Sequence, residues 1–232
     1  MTGESYICFV LMMLARDLIS PIIPTVNCTD SAARALSLMN EFHLSQLPIV
    51  EEKQYLGLLE ESVVLDWEDP EMLLKNLHFS HIRPAVRGEV HFFEALKLVG
   101  DYRLSLVPVV GDEDLYLGAI PQENLLSTLS HFNGVHQPGG ILVLSMDQND
   151  FMLSEIARLG EADDVHILGV HTFNDADTGK LGVVLKTNRQ DLNTFVATLE
   201  RFNYVVETRF DTPTSTEELK QNYDLLMHYI SM

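Results

Sequence analysis

Ala35-Leu36-Ser37-Leu38-Met39, Ser45-Gln46-Leu47-Pro48-Ile49-Val50 and Tyr55-Leu56-Gly57 form one set of blocks, and a second set follows them. The second set is Ala95-Leu96-Lys97-Leu98-Val99, Ser105-Leu106-Val107-Pro108-Val109-Val110 and Tyr116-Leu117-Gly118. Ala35 and Ala95, Ser45 and Ser105, and Pro48 and Pro108 each lie 60 residues apart, and the glycines lie 61 apart. Three blocks in one register mark an internal duplication. The first block has the period of a helix face, and the other two read as a strand and its hairpin return.

Each copy reads as strand, helix, strand, strand, helix. In the first, Thr29 or Asp30 is placed to cap a helix whose apolar face is Ala32, Ala35, Leu36 and Met39. The chain turns through His43-Leu44 into the strand Leu47 to Val50. Glu51-Glu52-Lys53-Gln54 is a hairpin loop, Tyr55 to Leu59 the return strand, and Glu61 to Trp67 the start of the closing helix. Gly57 permits close backbone approach. In the second copy Gly111-Asp112-Glu113-Asp114 is the hairpin loop. A half-domain of about 60 residues buries too little core alone, so the copies are expected to pack on each other.

The helix, the polar-apolar-Pro-apolar-apolar strand and the Gly-apolar-apolar step resemble the CBS domain, paired in tandem as a Bateman module, over roughly residues 14 to 131. The resemblance implies two pseudo-symmetric clefts that in many members bind adenosine nucleotides, and pairing of two modules into a flat homodimer. In ligand-binding members the return strand runs into Gly-x-x-Thr-x-x-Asp, whose Asp takes the ribose hydroxyls. A carboxylate suits that role because it accepts two hydrogen bonds from a diol. This sequence departs from the motif. The first copy has Glu60 and Val63 at the Thr and Asp positions; the second has Pro121 and Asn124. Glu60 repels phosphate and Val63 cannot hold a ribose, whereas Asn124 keeps hydrogen-bonding capacity. The second cleft is therefore the candidate, and Asn124→Asp is expected to strengthen it. Arg83, Ala85 and Arg87 around its first strand, Arg103 before it, and Ser105, Pro108 and Asn124 complete the candidate set for AMP, ADP or ATP. An arginine fork matches phosphate, although solubilising arginines on an acidic surface are the plainer reading. No cofactor is required.

The balance of 15 basic against 34 acidic residues gives a net charge of −19, spread along the chain. Such a surface repels nucleic acid and anionic lipid, so neither is an expected partner. Cys8 and Cys28 form no metal spacing or disulfide framework, which fits a reducing, cytoplasmic setting. Ile7 to Ala15 is too short to span a bilayer and lacks a basic leader. Residues 1–13 read as an extension, with Met12 or Met13 as an alternative start.

The organisation expected is α+β: CBS units at 14–71 and 72–132, a linker at 133–140, a third domain at 141–211 and a C-terminal helix at 212–232. In the third domain Ile141 to Met146 reads as a strand and Phe151 to Leu159 as a helix stopped by Gly160. Val165 to Phe173 and Leu181 to Thr187 read as strands, Leu192 to Phe202 as a helix and Tyr204 to Phe210 as a strand. The order βαββαβ is ferredoxin-like. In this context it resembles an ACT domain, a family that often binds amino acids, and the whole chain is similar to the acetoin-utilisation regulatory proteins of bacteria. Met146-Asp147-Gln148-Asn149-Asp150-Phe151 lacks the Gly usual at the ligand-binding turn, so Asp147, Asn149 and Asp150 are expected to cap the helix. In the tail, Ser215 and Glu218 form a capping box, and Leu219, Tyr223, Leu226 and Ile230 line one helix face.

Catalytic signatures are lacking. His78 with His81, His131 with His136, and His166 with His171 have no second pair or carboxylate at metal spacing. His166 and His171, an odd number apart on a strand, should face opposite sides. No Gly-rich phosphate loop or nucleophile elbow occurs. The expectation is a non-enzymatic regulator with an unknown protein partner. It either senses an adenine nucleotide, senses an amino acid through the third domain, or assembles through clefts that have lost their ligands.

Overall fold

The computed structural model describes residues 13–67, 69–76 and 83–211. The N-terminal extension before Met13, the His78/His81 pair and the C-terminal helix expected at 212–232 lie outside them. The chain forms two compact units, Met1–Leu129 and Ser130–Met232.

The duplication is visible in the first unit. Helix α1 (Ala32–Phe42) leads to strands β1 (Gln46–Glu51) and β2 (Gln54–Glu60) and the short helix α2 (Glu61–Leu65). In the second half β3 (Val86–Arg87) precedes α3 (Phe92–Tyr102), β4 (Leu106–Val110), β5 (Tyr116–Pro121) and α4 (Gln122–Phe132). Both hairpins are antiparallel, and both slip register at the same repeat position. Leu56 is skipped between Ile49↔Gly57 and Val50↔Tyr55, and Leu117 between Val109↔Gly118 and Val110↔Tyr116. A bulge bends and twists a strand locally, so the same bend is built twice. The β1–β2 turn uses two left-handed residues, Glu52 (φ 47°) and Lys53 (φ 69°), the handedness that matches strand twist.

The halves exchange their leading segments. Residues 15–18 form a 3-10 turn, and Ala15 and Leu18 join the core of Val86, Phe92, Ala95, Val107, Val109, Ile120 and Leu125. The Phe92 amide, at the start of α3, donates to the Met13 carbonyl (2.8 Å); in repeat register, the Ala32 amide of α1 donates to the Met72 carbonyl (3.0 Å). A helix N-terminus leaves several N–H groups without intrahelical partners, and here each is met by backbone from the segment that precedes the other half. The leading segment of each half therefore packs into the core of the other.

Several local expectations are corrected. The N-cap of α1 is Ser31, whose hydroxyl accepts from Arg34 N, not Thr29 or Asp30; Asp30 instead accepts from Asn27 N and pairs with Arg34. The closing helix α2 ends at Leu65, short of Trp67. The first strand of the second half is only Val86–Arg87, parallel to β4.

The second unit runs β6 (Ile141–Met146), α5 (Leu153–Ala162), β7 (Ile167–Asn174), β8 (Leu181–Thr187), α6 (Asn193–Arg201), β9 (Val205–Phe210). Its antiparallel sheet has the order β7-β8-β6-β9. Leu142, Leu144, Val183 and Leu185 from one sheet face meet Ile156, Leu159, Phe195 and Leu199 from the helices. Gly160 does not stop α5. It lies inside the helix, where an added Cβ would meet the Val165 carbonyl oxygen at 2.8 Å, so it serves close packing. The reversal comes later, at left-handed Asp164 (φ 58°), with Val165 N donating back to Gly160 O. His166 precedes β7, and the register slips between Ile167 and Gly169, so simple alternation does not relate His166 to His171.

Candidate functional site

The strand-to-helix step that follows each hairpin is built alike in both copies. Glu61 N donates to Ser45 O and Gln122 N to Ser105 O, each at 2.9 Å. The side chains then diverge. Val63 in the first copy is 39% exposed, an apolar group with nothing to offer a diol. Asn124, in the first turn of α4, borders a cavity of about 180 Å³ with Asp17, Leu18, Ile19, Ser127 and Thr128. Half of that wall is the exchanged leading segment, held by Ser20 N donating to Ala119 O (3.0 Å). Ile19 can lie so close because residue 118 is glycine: a Cβ there would sit 2.4 Å from Ile19 Cγ2.

The Asn124 amide already has a task. Its Nδ2 donates to the Leu18 carbonyl at 3.1 Å, clasping α4 to the leading segment. This revises the expectation for Asn124→Asp, since a carboxylate cannot donate and would face a carbonyl oxygen. The side-chain oxygen of Asn124 remains an acceptor for a ligand hydroxyl.

The other candidate residues do not line this cavity. Arg83 lies against the first copy's hairpin: Nη1 donates to Tyr55 O and Nη2 to Asp114 Oδ2, both at 3.4 Å. Arg87 Nη1 donates to Gly111 O (2.6 Å) and Asp112 Oδ1 (3.2 Å), tying β3 to the second hairpin loop. Ala85 is half-buried before β3, and Arg103 is the exposed left-handed residue that ends α3. Pro108 is buried in β4 opposite Ala119. Ser105 donates through both its N (2.8 Å) and Oγ (3.2 Å) to Gln46 Oε1, a junction between the two halves. Arg83 and Arg87 thus each have a carboxylate partner, Asp114 and Asp112, and exposed pairs of this kind contribute little stability. Spacing alone did not show that Asp17 to Ile19 would come to Asn124, because the contact depends on the segment exchange.

Tyr55 and Tyr116, repeat equivalents, stack at 6.4 Å between ring centroids. Burial raises both phenols' pKa. Tyr55 Oη donates to Pro84 O (2.9 Å), while the buried Tyr116 hydroxyl has no partner among the described residues.

A second cavity, of about 370 Å³, opens in the second unit at the end of β6, lined by Asp147, Asp150, Glu155, Lys180, Asn203 and Tyr204 among others. The expected capping is not seen. A 3-10 turn at Gln148–Asp150 intervenes, α5 starts only at Leu153, and neither the turn nor the helix has a side-chain cap bond. The carboxylates are thereby left beside the cavity. Tyr204 Oη donates to Glu155 Oε2 (2.9 Å). Burial, this bond and the charges of Glu155 and Asp150 push its pKa up to about 12.

Among the described residues, no group of three or more His, Cys, Asp or Glu side chains could hold a metal ion. The His131 and His136 rings do meet, at 4.9 Å between centroids. No helix among these residues is long and apolar enough to cross a membrane.

Residues 15–68 match the CBS domain family. An inosine-5'-monophosphate dehydrogenase from Korarchaeum cryptofilum is 24% identical over 151 residues, 65% of this chain and 32% of that enzyme, so the chain spans about a third of its length. Among solved structures, a CBS domain pair/ACT domain protein from Thermotoga maritima aligns with a TM-score of 0.47 at 18% identity, covering 51% of this chain and 98% of its own. CBSX2 in complex with AMP aligns with a TM-score of 0.44 at 17% identity, covering 51% and 97%.

Proposed function

We propose that this chain, with its CBS domain at residues 15–68, is a non-enzymatic, cytoplasmic regulatory protein that binds an adenine nucleotide (AMP, ADP or ATP) in its second cleft and works as a homodimer. The observation that supports this reading is the cavity at Asn124, which occupies the ribose position of the motif. At about 180 Å³ it is smaller than the roughly 300–1,000 Å³ usual for drug-sized ligands. It takes the sugar and leaves the base and phosphates outside. A ligand there bridges α4 and the exchanged leading segment, and so favours the arrangement in which that segment is docked on the second core. Differential affinity for two arrangements is what lets a ligand shift an equilibrium. Isothermal titration with the three nucleotides tests this. Binding of one of them, weakened at least tenfold by Asn124→Leu, supports the reading. No heat with any of them leaves the assembly role, in which the clefts hold no ligand and regulation passes through contact with a protein partner.

Amino-acid binding by the second unit is the other reading, and the cavity beside Asp147 favours it. Its order βαββαβ is that of an ACT-like domain, and the wall carries both Lys180 and carboxylates, which match a zwitterion. A thermal-shift response to an amino acid that is abolished by Lys180→Ala would support it.

A further inference from the structure

A carboxylate accepts from both hydroxyls of a ribose diol, whereas the Asn124 amide has one oxygen to offer. Its nitrogen is spent on the Leu18 carbonyl (3.1 Å). The neighbouring Glu123 is not part of the cavity wall. The charge in that wall comes from outside α4, from Asp17, the residue beside the one that Asn124 clasps.

Given nucleotide binding in the second cleft, on which this inference rests, we propose that Asp17 is the ribose acceptor. The exchanged segment returns the carboxylate that position 124 lacks. Backbone bonds hold Asp17 in place from both sides. Ala15 N donates to Val90 O (2.9 Å), Arg16 N to Gly88 O (3.1 Å) and Ser20 N to Ala119 O (3.0 Å). Ala15 and Leu18 are buried in the second core. The Asp17 carboxylate is not needed for this anchoring. Its one ion-pair contact among the described residues is Arg16 Nε at 3.9 Å, too long for a hydrogen bond. With its side chain 27% exposed, the carboxylate is sheltered yet reachable. Across the cavity stand Asn124, Ser127 and Thr128, which share one face of α4 by their spacing of three and four. Thr128 Oγ1 is committed to the Asn124 carbonyl (2.8 Å). Asp17 and the Asn124 oxygen then meet one sugar from two elements. The two residues are also coupled: an Asp at 124 could not donate to Leu18, and that clasp is one of the bonds that keep Asp17 in the wall. A carboxylate there opposes a phosphate as well, so the sugar enters and the phosphates stay outside. The site is thereby selective for ribose over deoxyribose.

Calorimetric titration of AMP, ADP and ATP and of their 2′-deoxy counterparts into the full chain and into Asp17→Asn tests this. The native chain should bind its ribonucleotide about tenfold to a hundredfold more tightly than the deoxy counterpart. Asp17→Asn keeps the shape of the side chain and should leave the melting temperature unchanged. It should lose most of the preference, by weakening the ribonucleotide alone. The preference is a ratio within one protein, so a change in stability does not move it. A preference untouched by Asp17→Asn, or equal weakening of both ligands, would overturn the role of Asp17 and leave nucleotide binding standing. Binding of no nucleotide by the native chain would overturn both.

Discussion

The two halves of the first unit share a backbone plan and differ in a few side chains, and those differences locate both stability and chemistry. Ala32 and Phe92 open equivalent helices and are both fully buried, so the second half places an aromatic ring where the first has a methyl. Gln46 occupies the position of Leu106, so Ser105 gains a partner in Gln46, whereas Leu106 has no side-chain acceptor to offer in return. Asn124 stands where Val63 stands. Duplication fixes the frame, and the departures from it show what each half has been given to do.

The largest break in the comparison should come from Phe92→Ala. Removing a fully buried ring costs about 3–5 kcal/mol, and urea unfolding should register that loss. A cost near zero would mean that the second core does not rely on the ring. Gln46→Leu would restore the symmetry of sequence, but it strands the Ser105 amide and hydroxyl. The expected cost is about 1–3 kcal/mol, again by urea unfolding, and a stabilised variant would contradict the account of the junction. Gly118→Ala and Gly57→Ala sharpen the same comparison. The added Cβ meets Ile19 at 2.4 Å in the former and Arg83 Cγ at 3.9 Å in the latter. Gly118→Ala should therefore be the costlier by about 1–3 kcal/mol, and equal costs would show that Ile19 moves aside freely.

Much of this frame was legible beforehand. Ala35, Met39, Leu47 and Ile49 are core, and the two hairpins, helix α6 and the strands Ile141–Met146 and Leu181–Thr187 lie where periodicity placed them. Local alternation and spacing determine such elements. What spacing could not convey was the partner of each segment. The exchange of Met13–Ser20 and Pro70–Asn76 between the halves is non-local, and it decides that Asn124 meets Leu18 while Arg83 meets Tyr55. The 3-10 turn at Gln148–Asp150 was likewise hidden, because Asp and Asn read equally well as caps and as turn residues.

The smallest effect expected is on pH dependence in the second unit. Tyr204 titrates near 12 in the folded chain against 10.0 ordinarily. Its contribution is complete below about pH 10 and is lost as pH rises towards 12, because the unfolded chain gives up that proton first. Tyr204→Phe should flatten the fall in melting temperature over that window, and an unchanged profile would remove Tyr204 from the account.

The most direct test of the central claim is calorimetric titration of AMP, ADP and ATP into the native chain, Asn124→Leu and Val63→Leu. Binding of one nucleotide that is lost in Asn124→Leu and kept in Val63→Leu is the expected result. Equal binding by all three proteins, or by none, would contradict a ribose site at Asn124.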